Sequence, residues 1–276
     1  MLNLVSDSSC DLFSGELPSP YARLTVVPMC LHVGGQDYPD LPGLDIPALL
    51  ESLSHHPSSS ACPSPAAFAE AFEQGEETVC VTISANLSGA YNAAMAPRHM
   101  VLAEHPEKKI FVLDSKATAG VMILLLRKAA RLAEEGVPFE ELCGQLLDYQ
   151  ASLRICFTLE HFDNLVKNGR MPPIAGVLLQ TLGIRIIADA TPQGTIHVAK
   201  KARGTAQTAQ SIVQLMMESK PCAGSRVIIC HCQNPEGAER LRSLILNRLH
   251  VESVEGLPCH GHTSFYAMDK GLIVSY

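Results

Sequence analysis

The first 150 residues alternate short strand-like runs with longer helix-like stretches, and this alternation constrains the fold more than any other feature. The strand-like runs are rich in β-branched and aliphatic residues and cover Leu2–Val5, Leu24–Val33, Thr78–Ile83 and Ile110–Leu113. The helix-like stretches cover residues 64–72, Ser88–Glu104, Lys116–Glu135 and Val137–Gln150, and the Ser-rich Ser52–Ser64 is predicted to be a loop. This alternation predicts a mainly parallel sheet with helices on its faces.

A second unit is indicated from Ala151 onward, where strand-like and helix-like segments follow one another in a mixed order. Strands are predicted at Arg154–Leu159, Ile184–Ala188, Thr195–Lys200 and Val227–His231, helices at Glu160–Lys167, Met171–Leu182, Thr205–Glu218 and Pro235–Leu249, and two more strands at the end. Thr191-Pro-Gln-Gly194 is a hairpin signal. The sequence therefore predicts a parallel-sheet, Rossmann-like α/β domain in residues 1–150 and an α+β domain in residues 151–276.

Composition and charge exclude several classes of protein. The 276 residues carry a net charge of −7 without any long basic run, which argues against nucleic-acid binding. The longest uncharged apolar segments, Ala117–Leu126 and Met171–Ile184, are shorter than the roughly 20 residues that span a bilayer, so no stable membrane insertion is expected. There is no signal-peptide pattern, and cysteines such as Cys80 lie inside apparent strands as small apolar residues do. We therefore predict a cytoplasmic protein.

Three segments place small hydroxyl residues where strands of the parallel sheet are predicted to end, so all three are expected on one side of it: Ser6–Ser9, Ser58–Pro65 and Ser84–Tyr91. The carboxyl ends of parallel strands share one edge of a sheet, where ligands commonly bind. Hydroxyls and helix N-terminal amides at that edge would suit a carboxylate or phosphate. The alternative is that these residues are only helix caps and turn formers.

The chain resembles the DegV family, bacterial fatty-acid-binding proteins that serve as lipid-carrying subunits of fatty acid kinase. The resemblance runs nearly end to end and depends on the order and spacing of several motifs. In the first half these are Val5-Ser-Asp-Ser-Ser9, Val27-Pro-Met-Cys-Leu31, Gly34-Gly-Gln-Asp-Tyr38 with Asp40, Ser60-Ala-Cys-Pro-Ser-Pro65, Ile83-Ser-Ala-Asn-Leu-Ser-Gly-Ala-Tyr91 and Leu113-Asp-Ser-Lys-Ala-Thr-Ala-Gly120. In the second half they are Leu165-Val-Lys-Asn-Gly-Arg170, Lys201-Ala-Arg-Gly204 and His262-Thr263.

The resemblance implies two α/β domains with a long-chain fatty acid bound between them. It implies that the carboxylate is held by Ser60, by Ser88 with Gly89, and by His262, and that Arg170 lies near the head group or a kinase-docking surface. The implied role is that of a non-catalytic carrier, which presents the carboxylate to a fatty acid kinase catalytic subunit for conversion to an acyl phosphate.

This sequence departs from the family pattern at the expected head-group end. The usual Thr-Ser-Gln-Pro-Ser is Ser60-Ala-Cys-Pro-Ser64, and the usual Ser-Gly-Thr is Ser88-Gly-Ala90. The usual His-Thr-Gly-Pro-Gly is His262-Thr-Ser-Phe-Tyr266. Glycine allows a close backbone approach that Phe265 and Tyr266 do not allow, so these changes predict a reshaped head-group end.

Two apolar helical stretches are candidates for the wall of an acyl tunnel. Residues 121–126 and 171–184 are apolar over more than one helical stripe, which is typical of helices buried on all sides. The more specific hypothesis is that Met122, Leu125, Ile174 and Leu178 line the tunnel.

Other functions remain as alternatives. Ser88, His262 and Asp7 allow the hypothesis of a serine hydrolase acting on a small ester or acyl phosphate, although there is no G-x-S-x-G elbow. The altered Ser264-Phe-Tyr266 allows a degenerate, regulatory family member. Cys230-His-Cys232 and Cys259-His-Gly-His262 have weak zinc-site spacing, so no metal is predicted. No Walker A motif or Gly-rich dinucleotide loop is present, so no cofactor other than a bound fatty acid is predicted.

Overall fold

Four parallel strands form the sheet that the first half of the sequence predicts. The computed structural model describes residues 1–172 and 183–276. The strands are β1 (Leu2–Asp7), β2 (Ala22–Val27), β6 (Glu77–Thr82) and β7 (Lys109–Asp114), in the order β2-β1-β6-β7. All three neighbouring pairs are parallel, so the carboxyl ends of the four strands lie at one edge.

A small antiparallel sheet interrupts the predicted alternation. Its strands are β3 (Cys30–Val33), β4 (Gln36–Pro39) and β5 (Ser58–Ala61), in the order β4-β3-β5. The predicted strand Leu24–Val33 is therefore two strands in different sheets, separated at Pro28, which has no N–H to donate to a ladder. The prediction of a loop over Ser52–Ser64 is wrong, because a helix covers its beginning and β5 covers its middle.

The second half of the chain forms a separate, mixed sheet of six strands. They are β8 (Ile155–Thr158), β9 (Ile184–Ala190), β10 (Ile196–Arg203), β11 (Arg226–His231), β12 (Ser253–Pro258) and β13 (Leu272–Ser275), in the order β10-β9-β8-β13-β11-β12. Only β11 and β12 run parallel among these pairs. The predicted hairpin at residues 191–194 joins β9 to β10. The predicted fold class, mixed α/β with a parallel sheet and a second mixed unit, is confirmed.

Nine helices of four or more residues lie in the described parts of the chain. They are α1 (Ile46–His55), α2 (Pro65–Glu73), α3 (Ala90–Glu104), α4 (Gly120–Glu134), α5 (Phe139–Ser152), α6 (Asp163–Lys167), α7 (Gly204–Ser219), α8 (Pro235–Arg248) and α9 (Gly261–Ala267). Ser64 caps α2 as predicted, because its hydroxyl accepts the N–H of Ala67. The predicted helix Met171–Leu182 lies outside the described residues from Pro173 onward. No helix in the described ranges is long and apolar enough to cross a membrane.

Helix α4 packs between the two larger sheets. Residues 120–126 at its start are all buried, and the helix contacts β1 and β6 on one side and β11 and β13 on the other. A Cβ on Gly120 would lie 2.8 Å from the Ser275 hydroxyl oxygen and 3.0 Å from Ile228 Cβ. The apolar helix predicted from the sequence is therefore the centre of the core. The domain boundary between residues 150 and 151 stays a prediction.

Candidate functional site

A partly open cavity lies where the four-stranded sheet faces the six-stranded sheet. Its wall includes the loops that follow β6 and β7, one face of β8 and β13, the β9–β10 hairpin, and α9. The described residues that line it are Ile83, Leu87, Ser88, Lys116, Ala117, Thr118, Ile155, Phe157, Leu159, Leu165, Arg170, Asp189, Ala190, Gly194, Thr195, Ile196, His262, Thr263, Tyr266, Ala267 and Ile273.

One wall of the cavity is apolar because of the period-two geometry of β8. Ile155 and Phe157 are alternate residues and point into the cavity, whereas Cys156 belongs to the apolar cluster on the other side of the sheet. Ile273 on the neighbouring β13 pairs with Phe157 and lines the same wall. Such a wall favours an aliphatic or aromatic ligand group, because burying apolar surface is favourable.

The loop after β6 brings Ser88 to the cavity. The Ser88 hydroxyl accepts a long 3.3 Å hydrogen bond from the N–H of Ala90 at the start of α3. Ser88 is half-buried and lines the cavity, so its own O–H is available to a ligand. Gly89 lies beside the loop before α2, since a Cβ there would be 3.3 Å from Cys62 Sγ.

The hairpin between β9 and β10 closes the cavity against this loop. The Ser84 hydroxyl donates to the carbonyl of Gly194 at 2.8 Å, and the Asn86 side-chain amide donates to the carbonyl of Gln193 at 2.7 Å. Gly194 has φ +79°, and a Cβ on it would lie 2.4 Å from the Ser84 hydroxyl oxygen. Only glycine fits there without a local shift.

His262 enters the cavity from α9, whose start is held by Asp40. The carboxylate of Asp40 accepts the backbone N–H groups of Gly261 at 2.8 Å and His262 at 2.9 Å. Burial, together with the nearby Arg170, lowers the pKa of His262 from 6.5 to about 4. The imidazole is therefore neutral near pH 7 and offers one N–H donor.

Arg170 is fixed by backbone carbonyls. Its Nε donates to the carbonyl of Leu87 at 2.9 Å, and an Nη atom donates to the carbonyl of Asn168. Its guanidinium carbon lies 5.9 Å from the centre of the Tyr266 ring. Arg170 thus ties the Ser88 loop to α9 and brings a positive charge to the cavity wall.

Ser60 is not among the described residues that line the cavity. It lies on β5, in the small antiparallel sheet, and its hydroxyl is 2.8 Å from the Tyr266 hydroxyl. The prediction that the three hydroxyl segments follow strands of one parallel sheet is therefore wrong for Ser58–Pro65. Ser60 is linked to the cavity wall through its hydrogen bond with Tyr266.

The Ser6–Ser9 segment has an internal role. The Asp7 carboxylate accepts the N–H of Ile83 at 2.8 Å and the N–H of Ser9 at 3.1 Å. The Ser6 hydroxyl donates to the carbonyl of Val81 at 2.8 Å, and the Ser8 hydroxyl accepts the N–H of Met29 at 3.0 Å. These bonds join β1 to its neighbours and leave the segment outside the cavity wall.

The candidate tunnel residues lie in two different places. Met122 and Leu125 are fully buried on α4 and do not belong to the described cavity wall, because the side chains of α4 fill the core between the sheets. Ile174 and Leu178 lie outside the described residues. Apolar helical periodicity identified the burial of α4, and the alternation of β8 accounts for the position of Ile155 and Phe157 on the cavity wall.

The structure does not assemble the hydrolase alternative. Within the described residues no hydrogen bond joins Ser88 to His262, and the Asp7 carboxylate accepts the N–H groups of Ile83 and Ser9. The one group of potential metal ligands found in residues 1–172 and 183–276 is Cys30, His32 and Asp37. His32 Nδ1 is 2.6 Å from the exposed Asp37 carboxylate, which is an ordinary cross-strand pair.

Sequence reasoning missed three features of the site. Lys116 and Thr118 line the cavity after β7, and nothing in their motif marks them as wall residues. Tyr266 departs from the family pattern, and it lines the cavity. The role of Asp40 in holding α9 had no local signal.

The fold and the cavity define a mixed α/β protein with an apolar pocket between two sheets and polar side chains from the Ser88 loop and α9. A family model described as "Uncharacterised protein, DegV family" matches residues 1–268. A DegV domain-containing protein of Streptococcus pyogenes serotype M1 is 34% identical over 275 residues, covering 99% of this chain and 98% of the relative. The chain belongs to the DegV family.

Two solved structures of relatives contain fatty acids. The Streptococcus pneumoniae Fatty Acid Kinase (Fak) B3 protein loaded with linoleic acid is 32% identical, with a TM-score of 0.95, and the match covers 100% of this chain and 98% of that chain. A DegV family protein from Eubacterium eligens loaded with heptadecanoic acid is 32% identical, with a TM-score of 0.93, and the match covers 100% and 99%.

Proposed function

We propose that this chain binds one long-chain fatty acid in the cavity between its two larger sheets. The observation that carries the proposal is the combination of an apolar wall at Ile155, Phe157 and Ile273 with hydrogen-bond donors at Ser88 and His262. The relatives loaded with linoleic and heptadecanoic acid support it. The tail supplies most of the affinity, at about 0.8 kcal/mol for each buried methylene.

The carboxylate lies at the polar end of the cavity. The Ser88 hydroxyl and the neutral His262 imidazole donate hydrogen bonds to it, the Gly89 turn shapes the start of α3 beside them, and Arg170 balances its charge. Donors to an ionised carboxylate are stronger than neutral pairs. Ser60 contributes through Tyr266.

The bound carboxylate is the group on which a kinase partner acts. Its oxygen attacks the γ-phosphorus of ATP held by the partner, and the acyl phosphate and ADP are formed. The Fak B3 relative supports this assignment. All ten cysteines are free, which suits a reducing compartment, and we assign the protein to the cytoplasm.

The binding proposal is tested by titrating delipidated protein with saturated fatty acids of increasing length. Each added methylene that reaches the apolar wall raises the affinity about fourfold. Phe157→Ala weakens binding of the longer acids. The matched control Phe111→Ala, on β7 and outside the described cavity wall, leaves the length dependence unchanged. A flat dependence on chain length would contradict the proposal.

The kinase proposal is tested separately by incubating the loaded protein with a fatty acid kinase catalytic subunit and labelled ATP. We expect label in an acyl phosphate only when the carrier is present. If fatty acid binds but no label is transferred, the kinase role is wrong and the binding role stands.

A further inference from the structure

Tyr266 connects the cavity to Ser60, which lies outside the described cavity wall. The two hydroxyl oxygens are 2.8 Å apart, although the residues are 206 positions apart in the chain. Tyr266 is half-buried on α9 and lines the cavity. A ligand in the cavity therefore meets Tyr266, and Ser60 stands behind it.

The hydrogen-bond capacity of this pair leaves one donor free. A serine hydroxyl and a tyrosine hydroxyl each have one O–H donor and can accept hydrogen bonds. One hydrogen bond within the pair uses one of the two protons. If Ser60 donates to Tyr266, the phenolic proton remains for an acceptor in the cavity.

The surroundings of the Tyr266 ring favour an anionic acceptor. The Arg170 guanidinium carbon lies 5.9 Å from the ring centre, and the His262 ring meets the Tyr266 ring edge-on with centres 5.3 Å apart. The described cavity wall also carries Lys116, and its one acidic side chain, Asp189, pairs with His197 at 2.9 Å. Arg170 thus places a positive charge beside Tyr266, which favours a carboxylate as the acceptor of the Tyr266 hydroxyl.

We propose that Tyr266 is a head-group residue that donates its phenolic proton to the ligand carboxylate, and that Ser60 is a positioning residue acting through Tyr266. This inference rests on the proposed binding of a fatty acid. Tyr266 then gives the site its selectivity for an ionised head group. Ser60 does not contact the carboxylate directly, in contrast to what the family resemblance implies.

The test is a double-mutant cycle with two ligands of equal length, oleate and oleyl alcohol. The full-length chain and its Tyr266→Phe, Ser60→Ala and doubly substituted variants are titrated by displacement of a fluorescent fatty acid. We expect Tyr266→Phe to weaken oleate binding about tenfold and oleyl alcohol binding about twofold or less, because a hydrogen bond to a charged group is lost. The double variant should bind oleate no more weakly than Tyr266→Phe alone.

The matched control is Tyr38→Phe, which removes a hydroxyl bonded to the Gln36 side chain on the small sheet and should leave both affinities unchanged. Urea unfolding of each variant shows whether it is folded, and the ratio of the two affinities corrects for damage to the apolar wall. Additive losses in the double variant would show that Ser60 contacts the ligand itself and would overturn the inference. Equal losses for acid and alcohol would overturn it too. If the unsubstituted protein binds no fatty acid, the proposed function fails and this inference fails with it.

Discussion

Two serine-containing segments at the carboxyl edge of the four-stranded sheet have different roles. Ser6–Ser9 covers the end of β1 and the two residues after it, is buried, and directs its side chains to the backbone of neighbouring segments. Ser84–Gly89 follows β6, and its two serines have different roles. Ser84 holds the β9–β10 hairpin, whereas Ser88 faces the cavity.

The comparison teaches that the residue types at a strand end do not decide between scaffold and binding site. What decides is whether a nearby backbone group uses the hydroxyl. Substitutions in Ser6–Ser9 should therefore lower stability and spare ligand selectivity, and substitution of Ser88 should do the reverse.

The largest loss of stability is expected for Asp7→Ala. It leaves the buried N–H groups of Ile83 and Ser9 without their acceptor, at about 1–3 kcal/mol each, so the free energy of unfolding should fall by about 3 kcal/mol. Urea unfolding measures this change. Asp7→Asn keeps one oxygen and should lose less. A loss below about 1 kcal/mol for Asp7→Ala would show that these bonds contribute little.

Gly194→Ala tests the hairpin contact of the Ser84 segment. The added Cβ meets the Ser84 hydroxyl and the Lys116 backbone at a positive φ, so we expect a loss of about 2–3 kcal/mol in the free energy of unfolding. Gly224→Ala is the matched control, because Gly224 has φ +71° and open space around it. It should lose about 1 kcal/mol. Equal losses at the two positions would mean that the contact does not matter.

Asp11, just after Ser6–Ser9, gives the comparison a pH signature. Burial raises the pKa of Asp11 from 3.8 to about 8, so the folded state holds a proton that the unfolded state has released. The stability that the folded state gains from the protonated Asp11 is fully present below pH 3.8 and is lost as the pH rises towards 8. His262 acts in the opposite direction, since its pKa falls from 6.5 to about 4 and stability is lost as the pH falls through that range.

Asp11→Asn should therefore remove the loss of stability between pH 3.8 and about 8, which urea midpoints across this pH range would measure. Asparagine keeps an oxygen for the N–H of His260, which Asp11 accepts at 2.9 Å. An unchanged dependence of stability on pH between 3.8 and 8 in Asp11→Asn would contradict the assignment.

The smallest change in stability is expected for Ser88→Ala. Its hydroxyl accepts only the long bond from Ala90, so the free energy of unfolding should change by less than about 0.5 kcal/mol. Oleate binding should weaken about fivefold to tenfold, which is the value of one hydrogen bond. Ser84→Ala is the control, with a stability loss of about 1 kcal/mol and unchanged selectivity between acid and alcohol. An unchanged affinity for Ser88→Ala would remove Ser88 from the site.

Local signals predicted the parallel sheet and the cap of α2, because β-branched runs and the Ser64-Pro65 pair act within a few residues. The sequence did not predict α9, since its first N–H groups are held by Asp40, which is more than 200 positions away. Ser60 could be placed near the site but not behind Tyr266, because that bond spans 206 positions. Burial of Met122 followed from its apolar helix, but the side of the core on which the cavity lies depends on sheet packing.

Native mass spectrometry of the purified protein tests the central claim most directly. The account predicts a species heavier than the bare chain by one long-chain fatty acid, and a solvent extract that yields about one carboxylic acid per chain. The account would be contradicted if the purified protein carried no fatty acid and the delipidated protein took up none after oleate was added.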